Sequence, residues 1–241
     1  MGTVVTIDAY HHGGVAPEEL LPHLATAVDI LHHADSVFST WRADSPLSQL
    51  RGGTMSLGEA PPEVSIVLSA CRDARELTRG WFDPWAMPGG VDPTGYVKGW
   101  AAQRALWALR GAPIDGAILN AAGDIAVFGR PDPGQPFRVG VVRPDSTLEL
   151  ACVVELAGAI ATSGTYERGE HLVNPRTGER RAVVASASVT GPDLGLADAL
   201  ATALAVGGDE VFCIVETLSD YEALLIDDAG LRATSRFPFS P

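Results

Sequence analysis

The order of periodic segments constrains this chain more than any other feature. Helical patterns crowd its first 109 residues, and short strand-like runs fill most of the remainder. An N-terminal strand is expected where Val5 and Ile7 alternate with polar neighbours. Residues 17–38 read as a helix: Pro17, Glu18 and Glu19 form an acidic first turn, and Leu20, Leu24, Val28 and Leu31 share a face. A second helix is expected over 61–79, with Val64, Val67, Leu68 and Cys71 inward and Gly80 as its stop. A third runs from Lys98 through Leu109, and an Ala-rich fourth spans about 195–206. Strand-like runs lie at 116–121, 125–129, 137–142, 150–156, 158–162, 182–190, 211–216 and 222–227, with hairpin-compatible turns such as Asp228-Ala229-Gly230 between several of them. Helices first, then strands with one late helix, predict an α+β fold of largely antiparallel β-sheet layers with packed helices. The 241 residues suit one domain or two intimately packed subdomains. Pro131-Asp132-Pro133-Gly134 reads as a surface turn, not a linker.

Charge narrows the function. A net charge of −13 leaves no basic field for neutralising phosphates, so a general nucleic-acid binder is excluded. A bound nucleotide would need local devices, such as a metal ion or backbone N–H groups. Cys71, Cys152 and Cys213 are far apart and each sits in an apolar run, which predicts buried, reduced thiols in a cytoplasmic protein. No run approaches the roughly 18 to 20 apolar residues of a membrane helix, so no membrane insertion is expected. Asp8 and the pair His11-His12 interrupt any secretory h-region.

Several segments carry chemistry-bearing residues. Asp198 and Thr202 are four apart in the apolar helix 195–206, so their oxygens leave the same face. Such a pair suits Mg²⁺, which takes few protein oxygens and shares its other sites with water and substrate phosphate. By spacing alone the default is plainer: Asp198 caps the helix and Thr202 bonds back to its carbonyl. The run from Asp92 to Trp100 is a turn feeding a helix, where Gly95 permits close backbone approach and Lys98 could meet an anion beside the helix N-terminus. The Walker spacing is missing, and an ordinary capped helix fits equally. His171 is the only histidine outside the first 33 residues, a candidate general base or a structural imidazole. Trp41, in Phe38-Ser39-Thr40-Trp41-Arg42, is either a platform for a flat ring or core. Asn120-Ala121-Ala122-Gly123-Asp124 and Ala161-Thr162-Ser163-Gly164-Thr165 are site-like turns, without the G-x-S-x-G of a nucleophile elbow.

Taken in order, these segments resemble the ApbE family of FAD:protein FMN transferases. The matches are Met1-Gly2-Thr3, Phe38 to Arg42 with Ser45 and Leu50, Phe82-Asp83-Pro84, Gly95 to Gly99, Asn120 to Asp124, Thr162-Ser163-Gly164 with Tyr166, His171 to Gly178, and Ala197 to Thr202. The resemblance implies an ApbE-like, T-fold-like architecture that admits two similar subdomains, with residues 1–241 forming a single flavin transferase domain. It implies an enzyme that splits the FAD pyrophosphate with Mg²⁺, attaches FMN to a Ser or Thr of an acceptor flavoprotein, and releases AMP. Asp198 and Thr202 would hold Mg²⁺, with main-chain carbonyls near Gly95 and Ala201 assisting. Met1, Trp41, Asp83, Asp92 and Lys98 would line the FAD site, and His171 would be the catalytic base. The physics agrees, because phosphoryl-type transfer needs positioning and charge neutralisation more than covalent help. Three residues depart from the family pattern: Trp41 stands for Tyr, Ala122 for Gly and Asn174 for Asp. An Mg²⁺-dependent FAD pyrophosphatase and a non-catalytic flavin-binding protein are the alternative readings. The family's acceptor motif is not found in the chain, so self-modification is not expected.

Overall fold

A computed structural model describes residues 3–164 and 172–241. The strands are β1 Val5–Tyr10, β2 Gly116–Ala121, β3 Asp124–Gly129, β4 Phe137–Arg143, β5 Ser146–Leu156, β6 Ala159–Gly164, β7 Ser186–Gly191, β8 Glu222–Asp227 and β9 Gly230–Ala233. The helices are α1 Pro17–Phe38, α2 Pro46–Arg51, α3 Pro62–Leu77, α4 Thr94–Trp107, α5 Leu194–Gly207 and α6 Asp209–Glu216. Seven strands make one antiparallel sheet in the order β1-β2-β3-β6-β7-β8-β9, and β4 and β5 pair as a separate hairpin.

Strand alternation divides the core between the two faces of that sheet. Ala126, Ala159, Ala161, Ala223 and Leu225 point to the helices. Their neighbours Ile125, Val127, Ile160 and Leu224 point the other way, onto Phe137, Val139, Val154 and Leu156 of the hairpin. The small residues on the helical face bring α5 close to β6 and β7. The structure is thus mixed α/β with an antiparallel sheet, in agreement with the α+β expectation.

Helix α5 is apolar on nearly every side and is buried from Leu194 to Val206 except at Leu196 and Thr202. It is capped by Asp193, whose side chain accepts a bond from Leu196 N at 2.7 Å. Two backbone-level devices dock α4 against it. A Cβ at Gly99 would strike the main chain at Leu194, and one at Gly195 would lie 2.9 Å from Tyr96 Cζ, so bare backbone lets the helices touch. The buried Gln103 side chain then ties them polarly, accepting from Leu194 N at 2.7 Å and donating to Pro192 O at 2.8 Å.

Some expectations need correction. The 211–216 run is a helix, α6, not a strand: Val211, Ile214 and Val215 recur at helical spacing and are buried, behind an acidic first turn of Asp209 and Glu210. Its β-branched composition mimics a strand, but period outweighs composition. Helical turning also leaves Cys213 exposed and Cys152 is half-buried, so only Cys71 is a buried thiol. On α1 the buried stripe is Ala27, Leu31, Ala34 and Phe38, with Val28 exposed. Helix α4 begins at Thr94 rather than Lys98, and α2 and β9 escaped sequence reading because each is short. Among the described residues no helix is long and apolar enough to cross a membrane.

Because the α4–α5 contact is made by backbone, Gly99→Ala is expected to cost about 2 kcal/mol of stability or more. Chemical denaturation measures this, and an unchanged midpoint would contradict so close an approach of the two helices.

Candidate functional site

A cleft of about 810 Å³ opens where the loop after α1, the 81–88 segment, the start of α4, the end of β6 and the middle of α5 converge. It gathers seven of the residues singled out from sequence: Trp41, Asp83, Asp92, Gly95, Lys98, Asp198 and Thr202. Ala201 is fully buried and does not line it. Met1 and His171 lie outside the described residues.

Each wall has a local cause. Ser39 accepts bonds from the main-chain N–H groups of Trp41 and Arg42, while Ser45 and Ser48 donate to its carbonyl at 2.6 and 3.0 Å. This knot leaves the Trp41 indole 95% exposed at the rim, which removes the core reading of that residue. Asp83 accepts from Trp85 N at 2.9 Å and from Arg75 Nε at 2.6 Å. Asp92 accepts from Thr94 N at 3.1 Å at the head of α4, and its other oxygen lies 3.9 Å from Arg51 Nη1. Arg51 in turn donates to the Gly89 and Pro88 carbonyls, bracing the Met87–Gly90 rim.

The floor carries the charge. Asp198, 3% exposed, sits inside α5 well past the Asp193 cap, so it does not cap the helix. Thr202 stands one turn on, with Oγ1 3.4 Å from Ser163 Oγ on β6. Gly95 faces this hydroxyl, and a Cβ there would come within 3.2 Å of it. Asp124, 0% exposed, pairs with Lys98 Nζ at 2.7 Å and accepts from Thr162 N at 3.4 Å. Burial, and then the charge of Asp198, hold the Asp124 carboxyl well above the usual carboxylate range, with Lys98 pulling it back. Burial, with Asp198 adding, pushes the neighbouring Cys71 thiol up to about 12, which makes it a poor nucleophile.

The sequence marks Asn120 to Asp124 as a site-like turn but assigns Asp124 no role of its own. Its signal is alternation: Asp124 and Ala126 are both buried at the start of β3, and a carboxylate on an inward strand position requires a partner. The turn before it is tight. Ala122 and Gly123 have φ of 50° and 90°, and Asn120 Oδ1 accepts from Gly123 N at 2.8 Å. Ala122 therefore occupies a left-handed position that glycine fills without a Cβ penalty.

Asp198, Thr202 and Ser163 offer only oxygens, and among the described residues no group of three or more His, Cys, Asp or Glu side chains forms a ready-made metal cage. That donor set fits a hard cation such as Mg²⁺, which keeps waters and shares its sites with a phosphate ligand, rather than zinc or a fully caged calcium. The gap left by the missing Gly95 side chain keeps the approach to Thr202 open.

Comparison with known proteins matches residues 1–89 and 86–225 to the ApbE family. A protein named FAD:protein FMN transferase from Rhodobacter capsulatus is 30% identical over 214 residues, covering 84% of this chain and 38% of that protein. The chain thus spans well under half the length of that relative. A protein of the same name from Vibrio cholerae is 26% identical over 305 residues, covering all of this chain and 90% of its own length. Among solved structures, the flavin transferase ApbE from Vibrio cholerae superposes with a TM-score of 0.81 at 21% identity, covering 97% of this chain and 93% of that one. The ApbE protein from Thermotoga maritima gives 0.80 at 22% identity, covering 98% and 94%. These likenesses establish a shared fold.

The buried floor and the tight turn beside it each have a measurable signature. The folded chain keeps the Asp124 proton at pH values where the unfolded chain has lost it, so this group weakens folding as pH rises from the ordinary carboxyl range to its folded titration point. Lys98 lowers that point, and Lys98→Met raises it and prolongs the loss. The stability gap between wild type and Lys98→Met should therefore widen from about pH 5 to pH 8 in EDTA. A gap independent of pH would contradict the pairing. Ala122→Gly should raise stability by about 0.5–1 kcal/mol in thermal unfolding, since it relieves a left-handed alanine. A loss of stability would argue against the turn geometry.

Proposed function

The chain belongs to the ApbE family, and on that premise we propose that it is an Mg²⁺-dependent FAD:protein FMN transferase. It cleaves the FAD pyrophosphate, joins FMN by a phosphoester bond to a Ser or Thr hydroxyl of an acceptor flavoprotein, and releases AMP. The observation that carries this reading is the cleft floor, where an ammonium anchored on a buried carboxylate lies alongside the oxygens of Asp198 and Thr202. A strongly acidic protein needs such a local arrangement to hold a dinucleotide.

In this reading Trp41 stacks on a flat ring at the rim, and Asp83, Asp92 and Met1 complete the FAD site. Lys98, oriented by Asp124, meets the diphosphate. Asp198 and Thr202, helped by main-chain oxygens near Gly95, would hold Mg²⁺, which when bound would neutralise charge on the diphosphate. His171 takes the proton from the acceptor hydroxyl. The freed oxygen bonds to the phosphorus on the FMN side, the bond from that phosphorus to the bridging oxygen breaks, and AMP departs with the electron pair. Residues 1–241 act as one flavin transferase domain, and three free thiols suit a reducing compartment such as the cytoplasm.

The test is incubation with FAD, Mg²⁺ and a Ser/Thr-bearing acceptor. The acceptor should gain flavin fluorescence that survives denaturation, and EDTA should suppress it. Free FMN and AMP without a labelled acceptor would establish the pyrophosphatase reading instead, and tight FAD binding with no turnover the binding-protein reading. Asp198→Ala should lower turnover by about 100-fold or more while weakening FAD binding far less, since its role lies in charge neutralisation.

A further inference from the structure

The 174–178 turn lies outside the cleft lining and links two of its walls. Asn174 builds it: its Oδ1 accepts from Arg176 N at 2.9 Å, its N–H donates to Glu179 O, and its carbonyl accepts from Gly178 N. Val173 and Arg180 bridge at its base, and Leu172, Val173 and Arg180 all line the cleft. From the tip, the Arg176 guanidinium lies 3.8 Å from the centre of the Trp81 ring. Nη1 donates to Glu210 Oε2 at 3.0 Å on α6, and Nη2 to the carbonyl of Arg79 at 3.3 Å. Trp81, itself a cleft residue, donates Nε1–H to the same Glu210 oxygen at 2.7 Å. Gly207 receives the indole on bare backbone, since a Cβ there would fall 2.7 Å from Trp81 Cδ2.

We propose that Arg176 is a positioning residue that fixes the width of the cleft mouth. It locks Trp81 in place and ties the Leu172–Val173 wall to the Trp81–Pro84 wall. The required chemistry is specific to arginine, because one planar group must stack on an indole face while its fork donates in two directions. A lysine keeps the charge but supplies neither the plane nor the fork. The function of the width is to hold the dinucleotide against the cleft walls equally in the ground and transition states. This consequence for catalysis rests on the flavin transferase reading, whereas the clamp itself does not.

The test compares Arg176→Lys, Arg176→Ala, Trp81→Phe and the Arg176→Ala/Trp81→Phe pair. Acrylamide quenching of tryptophan emission reads the clamp whatever the substrate. Quenching should rise in Arg176→Ala and in Arg176→Lys, and the rise should vanish when Trp81 is also replaced. In steady state both arginine variants should raise KM for FAD about five- to tenfold and leave kcat within about twofold, as expected when binding common to substrate and transition state is lost. Arg176→Lys matching wild type in quenching and KM would overturn the proposal. So would losses in Arg176→Ala that merely track a falling folded fraction in thermal unfolding. A wild type that neither binds nor turns over FAD would sink the flavin reading and leave the quenching arm to decide the clamp.

Discussion

The backbone-to-backbone contact between α4 and α5 is the constraint on which the site depends. Glycine at 99 and at 195 removes the side chains that would hold the two helices apart, and Gln103 bonds to the main chain around the head of α5. With that spacing set, Lys98 and Gly95 on one helix face the same cleft as Asp198 and Thr202 on the other. A wider spacing would move the ammonium away from the oxygens and open the floor to bulk water, which weakens every electrostatic interaction there.

The electrostatics are a consequence of burial. Asp124 and Asp198 are both nearly sealed from solvent; burial and then the charge of Asp198 raise the Asp124 carboxyl, and Lys98 counters them. In the proposed reading, Lys98 and a cation held on the Asp198 and Thr202 oxygens would let a chain with a net charge of −13 receive a polyanion there. Short β6 and β7 side chains on the helical face, such as Ala161 and Ala187, let α5 sit low enough on the sheet for Thr202 to reach Ser163.

Much of this was legible in the sequence. Four long helices and most strands carried their own period, and the pair Asp198 and Thr202 stood out because nothing else on that helix is polar. The 211–216 segment misled because β-branched residues dominated a run too short for its helical period to stand out. Asp124 and the Arg176–Trp81–Glu210 group were not legible for a different reason. Their partners lie 26 to 129 positions apart in sequence, and only the folded chain brings them together. Trp41 was ambiguous between core and rim, and serine bonds in a loop without period decided it.

The proposed cation site is the centre of the chemistry, and it can be read without turnover. Electron paramagnetic resonance of Mn²⁺, a stand-in for Mg²⁺, should show about one bound ion per chain that tightens when FAD is added, as a shared phosphate ligand requires. Asp198→Asn should lose that ion while the chain stays folded. Equal Mn²⁺ binding by wild type and Asp198→Asn, with or without FAD, would contradict Asp198 and Thr202 as the residues that hold the metal.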